Sequence, residues 1–254
     1  SWTVSMKKDF FTLDIPIPNT KNGKFIIPDS VERIMFDIGA SYHAPNSRRN
    51  IDEKTFVVTV EPDPRMWISY LSMWYHTQTL PKGKNPMHLD DAMPPDFFSN
   101  YVFLPCAIGG GEKFMEYNLS VRDGKSSLLK PNTDYEYHQP IARSVPVRVM
   151  TLSTLIDMVP EDRKIDLIKI DCQGYDEQVV LSGEDRLSRV HYLAVENGEH
   201  ESKQYSGAYS VDSFNVTLNN LGFQYIETQG GQKIYSNSRR EASNSISKYT
   251  FSIG

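Results

Sequence analysis

Five short apolar runs punctuate the chain: RIMFDIGAS (33–41), TFVVTVEPD (55–63), YVFLPCAIG (101–109), IDLIKID (165–171) and VHYLAVENG (190–198). Each is a continuous block rather than an alternation of apolar and polar positions, which is the pattern of strands in a parallel sheet covered on both faces. Amphipathic stretches lie between them. In DPRMWISYLSMWY, Asp63 can cap a helix, Pro64 suits its first turn, and Trp67, Leu71 and Trp74 fall on one stripe. That stripe is read as core-facing rather than as an aromatic ligand box. YDEQVVLSGEDRL places acids in a first helical turn and reaches Gly183 as its stop. SVDSFNVTLNNLGF repeats the device, with Asp212 or Ser213 as cap, Phe214, Leu218 and Leu221 as stripe and Gly222 as stop. After it, FQYIETQGGQKIYSN alternates on either side of Gln229-Gly230-Gly231, the mark of a hairpin.

These elements predict an α/β domain over residues 31–236. Residues 1–30, which mix Phe10, Phe11, Ile15 and Ile17 with Pro16, Pro18 and NTKNGK, read as an extended N-terminal extension with turns. Residues 76–100 are rich in Pro, Gly, Asn and Asp and read as a long inserted loop. Residues 109–144 predict a short hairpin and then a mobile segment, and 237–254 a polar tail, either a surface strap or partly disordered.

Composition narrows the function classes. With 254 residues, 39% hydrophobic and 11% aromatic, the chain can bury a substantial core. A net charge of -5 with scattered Lys and Arg offers no field for nucleic acid. No run approaches the roughly 18 apolar residues of a membrane span. Cys106 and Cys172 are too few for a disulfide framework and too far apart for a zinc motif, so a reducing, cytoplasmic setting is expected, with Cys172 a buried bystander. The opening SWTVSMKKDFF lacks both a signal-peptide pattern and an initiating Met, which suggests part of a longer, multidomain chain. The sequons at Asn118 and Asn215 then read as chance.

In an open α/β sheet, ligands bind beyond the carboxyl ends of the strands. The last residues of the runs therefore form the candidate rim: Asp37 to Ser41, Glu61, Cys106 to Gly109, Asp171 to Gly174, and Glu196 to Gly198. Glu61 ends the second strand some twenty residues after a glycine-bearing turn, where an acid accepts both hydroxyls of a ribose. The turn itself, DIGAS, lacks the glycines of a diphosphate cradle. Asp37 would repel a diphosphate and suits an ammonium or sulfonium, so charge favours S-adenosylmethionine over NAD.

At these residues the sequence resembles the FkbM-type class I S-adenosylmethionine-dependent methyltransferases. RIMFDIGAS is similar to that family's D-x-G-A-N turn, and VVTVEPDPRMWISYL to its V-x-x-x-E-P helix entry. PCAIGGG, GKSSLL and VPVRVMTLSTLI follow in order, and IDLIKIDCQGYDEQVVLSG stands for the signature I-D-x-x-K-I-D-x-E/Q-G-x-E-x-x-V-L-x-G, with YLAVE after it. The match spans about residues 31–198. Ser41 replaces the usual Asn, Asp176 and Gln178 vary the signature, and the loop at 76–100 is unusual.

The resemblance implies a doubly wound, seven-stranded, mostly parallel Rossmann-like sheet with an antiparallel C-terminal hairpin. It also implies O-methylation of a carbohydrate, glycoside or polyketide hydroxyl. It assigns Asp37, Gly39 and Ala40 to the methionine end of the cofactor, Glu61 to its ribose, and Cys106, Ala107 and Ile108 to its adenine. It places Ser126 close to the cofactor or acceptor, and Ser41, Pro62, Asp171 and Gln173 on the rim are expected among the cofactor-binding residues.

An alcohol is a weak nucleophile, so a base is expected in addition to in-line positioning. Asp171, Glu196 and His200 are the candidates, against a competing role for the acids as caps of backbone N–H groups. His43 and His138 can also approach from loops, whereas His76 and His88 fall in the insertion and His191 opens a strand at the wrong end. Mg²⁺ held by Asp171, Glu196 and His200 is compatible with oxygen ligands but not expected without a dense ligand set. IGGGEKF, with no Lys-Ser/Thr after it, is a tight turn. The competing readings are an NAD-dependent oxidoreductase and a non-catalytic domain that keeps the fold and binds a partner.

Overall fold

The computed structural model of this chain describes residues 3–8, 11–16, 20–42, 44–67, 99–111, 113–122, 124–196, 198–239 and 245–251. Two hairpins open it, β1 (Thr3–Lys8) with β2 (Phe11–Pro16), and β3 (Thr20–Lys21) with β4 (Lys24–Phe25). The second hairpin is fastened to the main body. Phe25 is buried, its N–H donates to the Met158 carbonyl at 2.7 Å, and its ring centroid lies 5.8 Å from that of Phe56. Phe25 thus belongs to the main core.

The chain continues through β5 (Arg33–Ile38), α1 (Pro45–Asn50), β6 (Thr55–Val60), helical residues 64–67, β7 (Tyr101–Leu104) and β8 (Ala107–Ile108). Next come β9 (Lys113–Ser120), β10 (Ile141–Met150), α2 (Leu152–Asp157), β11 (Ile165–Ile170), α3 (Asp176–Leu181) and β12 (Val190–Val195). It closes with α4 (Glu199–Gln204), α5 (Val211–Asn220), β13 (Phe223–Gln229) and β14 (Gln232–Asn237). The rest of the Trp67–Trp74 stripe, the insertion at 76–98, His43 and Asn197 lie outside the described residues.

Seven strands form one mixed sheet in the order β13-β14-β12-β11-β5-β6-β7. The five apolar runs pair in parallel, and the C-terminal hairpin adds antiparallel to β12. Both residues of the hairpin turn, Gly230 and Gly231, have φ values of 53° and 81°, which glycine adopts without strain. The continuous apolar pattern has a plain structural cause: β6 is buried at all six positions and β11 at five of six. Alternate side chains feed two separate cores. Ile34, Phe36, Val58, Ile168 and Leu193 belong to one, whereas Met35, Val57, Leu167, Tyr192 and Ala194 belong to the other. Each Val, Leu, Ile, Met or Phe side chain so withdrawn from water stabilises the fold by about 1.5–3 kcal/mol.

Several local expectations are corrected. The run at 101–109 is two strands broken at Pro105-Cys106; β7 stays in the main sheet while β8 joins a second sheet, ordered β8-β10-β9. Residues 141–150 therefore form a ten-residue strand where the sequence suggested the end of a mobile segment. Gly183 does follow the end of α3 and its cap Ser182, but with a φ of -80°; a Cβ there would lie 2.8 Å from Leu187, so close packing of the following 3-10 turn requires the glycine. Ser210, not Asp212 or Ser213, caps α5, in a reciprocal box with Ser213, while Gly222 does adopt a left-handed φ of 90° beyond its end. The polar tail carries Tyr249 and Phe251 into the second core, and Asn50 clamps it by accepting from the Thr250 N–H and donating to the Thr250 carbonyl, both at 2.8 Å. Among the described residues no helix is long and apolar enough to cross a membrane.

Candidate active site

Strand order reverses between β5 and β11, which are neighbours in the sheet although far apart in sequence. Ligands in open α/β sheets bind at such a point, beyond the carboxyl ends of the strands. A cavity of about 400 Å³ opens there, walled by the ends of β5, β6, β11 and β12, by β8, and by the turn after β9.

Gly39 brings the first two walls together. Its φ is 73°, and a Cβ at this position would stand 1.9 Å from the Asp171 carbonyl oxygen, so only glycine lets the end of β5 pass the end of β11. Ser41 follows at a φ of 57°, a region that Asn tolerates better than most residues. This is a physical reason for the Asn usual at that position in the resembling family. On the opposite wall Gln173 and Gly174 are consecutive left-handed residues that turn the chain beneath Tyr205.

Glu61 is almost fully buried at the end of β6. Its Oε1 accepts from the Asp63 N–H and its Oε2 from the Ser41 N–H, both at 2.8 Å, which leaves each oxygen further lone pairs for a ligand. Burial pushes its pKa up to about 7, against the pull of those two N–H donors. Beside it, Asp63 caps the helical residues 64–67 through the Arg65 N–H and pairs with the Arg65 guanidinium at 2.7 Å. Arg65 and Asp63 together grip the hydroxyl of Ser126, at 3.0 and 3.2 Å, and so tie the turn after β9 to the end of β6.

On β11, Lys169 is buried at mid-strand and donates to the Gly39 carbonyl at 2.9 Å. Its ammonium lies 3.3 Å from Asp37 Oδ1 and 3.6 Å from Asp171 Oδ2. Burial opposes the charge, yet Asp37 and then Asp171 outweigh it and hold the ammonium above its ordinary pKa. The contact with Asp37 is an ion pair rather than an aligned hydrogen bond, because Asp37 Oδ1 has no hydrogen-bond donor. Asp171 reaches the cavity, where its Oδ1 accepts from Gln173 Nε2 at 2.8 Å. Below it, Asp176 is fully buried at the start of α3, and burial followed by the nearby Asp171 carboxylate pushes its pKa up.

Of the residues expected at the site, Gly39, Ser41, Glu61, Pro62, Cys106, Ala107, Ile108, Ser126, Asp171, Gln173 and Glu196 line the cavity. Ala40, Asp37 and His200 do not. Asp37 is fully buried and points the other way, accepting from the Ser47 N–H at 2.9 Å and its hydroxyl at 2.7 Å to hold α1 against the sheet. Its charge is paired with the Lys169 ammonium. His200 lies exposed on α4, with Nδ1 2.7 Å from the Tyr135 hydroxyl, and His138 bonds the Tyr135 carbonyl at 2.7 Å. The Cys106 thiol is pushed up to about 12 by burial and serves as apolar wall. Among the described residues no group of three or more His, Cys, Asp or Glu is arranged to hold a metal ion.

Sequence reasoning missed Lys169, Arg65, Tyr205 and the basic pair Arg122 and Lys125. Only Lys169 had a local signal, a lone charge inside an apolar strand. The partners of the others come from segments distant in sequence, as with Tyr205, whose hydroxyl lies 3.0 Å from both Gln173 Oε1 and the Lys125 carbonyl and shares its one proton between them.

Residues 37–225 match the family model described as the methyltransferase FkbM domain. No curated protein matches the chain. Among solved structures, a methyltransferase FkbM from Methylobacillus flagellatus KT is 15% identical, with a TM-score of 0.47 over 82% of this chain. The chain spans 44% of that protein's length.

Proposed function

The chain belongs to the FkbM methyltransferase family, and from that membership we propose that it is an S-adenosylmethionine-dependent O-methyltransferase acting on a carbohydrate or glycoside hydroxyl. The domain proposed to carry this activity is residues 31–236 together with the Phe25 hairpin and the Tyr249–Phe251 strap, in a doubly wound arrangement.

The observation that supports the cofactor most is Glu61. Its carboxylate is held by two backbone N–H groups at the edge of a cavity of nucleoside size, with lone pairs left for two ribose hydroxyls. Cys106, Ala107, Ile108 and Met66 offer apolar surface for a flat base next to it, and Gly39, Ser41 and Asp171 line the side toward β11. S-adenosylmethionine, when bound, supplies an electrophilic methyl group on a sulfonium.

The remaining roles belong to the protein. Asp171 is fixed by Gln173 and by Lys169, so it presents an oriented negative charge to a cationic group. Glu196, on the same wall at the end of β12, takes the proton of the acceptor hydroxyl. The walls exclude water and hold the acceptor oxygen in line, which supplies most of the acceleration; the base adds on the order of 10²–10⁴-fold.

The test is S-adenosylhomocysteine release from labelled cofactor across a panel of sugars, together with cofactor binding. Glu196→Gln is expected to lower kcat by at least 10²-fold with S-adenosylhomocysteine affinity kept, whereas Asp171→Asn weakens that affinity. Full turnover by Glu196→Gln would remove it as the base. Absence of methyl transfer to any hydroxyl, with cofactor binding intact, would sink the O-methyltransferase reading.

A further inference from the structure

The mouth of the cavity carries two positive charges, Arg122 and Lys125, that no side chain among the described residues engages. The turn after β9 is closed by reciprocal backbone hydrogen bonds between Asn118 and Ser127, at 2.8 and 3.2 Å, and it spans the cavity. At one point it meets the end of β5, where a Cβ on Gly124 would lie 3.4 Å from Ser41 Oγ. At a second it meets the end of β6, through Ser126 and Asp63. At a third it meets the end of β11, through the Lys125 carbonyl, the Tyr205 hydroxyl and Gln173. Hydrogen bonds thus tie this turn to the ends of β6 and β11, and it lies against the end of β5. Two of its residues, Arg122 and Lys125, line the cavity, the first exposed and the second partly buried.

Their chemistry contrasts with the wall below. Arg65 and Lys169, the other cations at the site, are both engaged with carboxylates. Arg122 and Lys125 have no side-chain hydrogen bond or ion pair among the described residues, in a chain of net charge -5 and above a cavity walled by Glu61, Asp63, Asp171 and Glu196. Cations that could pair with such acids and are instead kept at the mouth are available to whatever enters there. A guanidinium takes an anion through two parallel N–H donors, and an ammonium beside it adds a point charge.

We propose that Arg122 and Lys125 form an anion subsite that selects acceptors carrying a phosphate, sulfate or carboxylate near the hydroxyl to be methylated. This rests on the methyltransferase reading and adds the class of acceptor. The cofactor's own carboxylate is the rival source of negative charge, and the test separates the two.

Calorimetry first measures S-adenosylhomocysteine binding, then titrates the loaded protein with glucose, glucose 6-phosphate and inorganic phosphate. Glucose 6-phosphate is expected to bind at least tenfold more tightly than either glucose or inorganic phosphate. The double variant Arg122→Gln/Lys125→Gln is expected to erase that preference with S-adenosylhomocysteine affinity unchanged within twofold. Equal binding of glucose and its phosphate, or no binding of either, overturns the subsite. Inorganic phosphate as tight as the sugar phosphate, or a large loss of S-adenosylhomocysteine affinity in the double variant, removes the acceptor from it. If the wild type fails to bind S-adenosylhomocysteine, the cofactor reading falls, while a tenfold preference of the unloaded protein for glucose 6-phosphate over glucose would still uphold an anion site.

Discussion

Lys169 carries an ammonium into the interior of β11, between Ile168 and Ile170, where an unpaired charge is costly. Asp37 on the neighbouring strand is buried equally deeply, so each is tolerated because of the other. Replacing one partner leaves the second as an uncompensated buried charge. Lys169→Met is therefore expected to lower unfolding stability by about 3–5 kcal/mol, read from urea denaturation; an unchanged midpoint would mean that Asp37 finds another counter-charge. The sequence shows a lone Lys within an apolar strand and an Asp at the start of a glycine turn. It does not show that they pair, because register between β5 and β11 is a property of the folded sheet. That is why Asp37 was expected beside the cofactor. The same limit explains His200: its position after β12 suggested the rim, but α4 turns its ring out to Tyr135. Glu61 was legible because a strand end is a position readable from pattern alone.

At the scale of elements, the parallel strands were readable because both their faces are buried and their sequences are continuously apolar. β10 escaped notice for the opposite reason. Its first four residues, Ile141–Ser144, are exposed, and Pro146 stands within it, so IARSVPVRVM carries neither a continuous nor a clean alternating pattern. The helices were found with their ends displaced by a few residues, since Ser, Asp and Ser all stand near the start of α5 and only geometry selects among them. Ser210 Oγ accepts from the Ser213 N–H at 3.1 Å, and the Ser210 N–H donates in return to Ser213 Oγ at 3.2 Å. Ser210→Ala is expected to cost about 1 kcal/mol, visible as a lower thermal midpoint, whereas Asp212→Ala should cost less than half of that.

For the molecule as a whole, two cores flank one sheet, and the segment that seals the second comes from the far end of the chain. Composition made 237–254 look like a polar tail because Tyr249 and Phe251 are isolated among Ser, Asn and Lys. Their burial against Met35, Leu167 and Ile234 makes them part of the fold. Phe251→Ala should lower stability by about 3 kcal/mol with little effect on cofactor affinity, because this core lies on the face opposite to the main one. Equal losses of both would show that the strap also shapes the site.

Protonation of Glu61, the proposed cofactor carboxylate, provides the sharpest test. Its pKa in the folded, unliganded chain is about 7, above the value of an unfolded Glu. Its contribution to folding is therefore complete below pH 4.5 and lost as pH rises through 7. Ligand hydroxyls that donate to the carboxylate favour the ionised form, so affinity should change in the opposite sense. Calorimetry of S-adenosylhomocysteine from pH 5.5 to 8 is predicted to show constant affinity above about pH 7 and a loss approaching about tenfold per unit below it. Glu61→Gln should bind at least tenfold more weakly at pH 8, with that dependence gone. No binding by the wild type, or a Glu61→Gln variant that keeps both its affinity and its pH profile, would contradict the account.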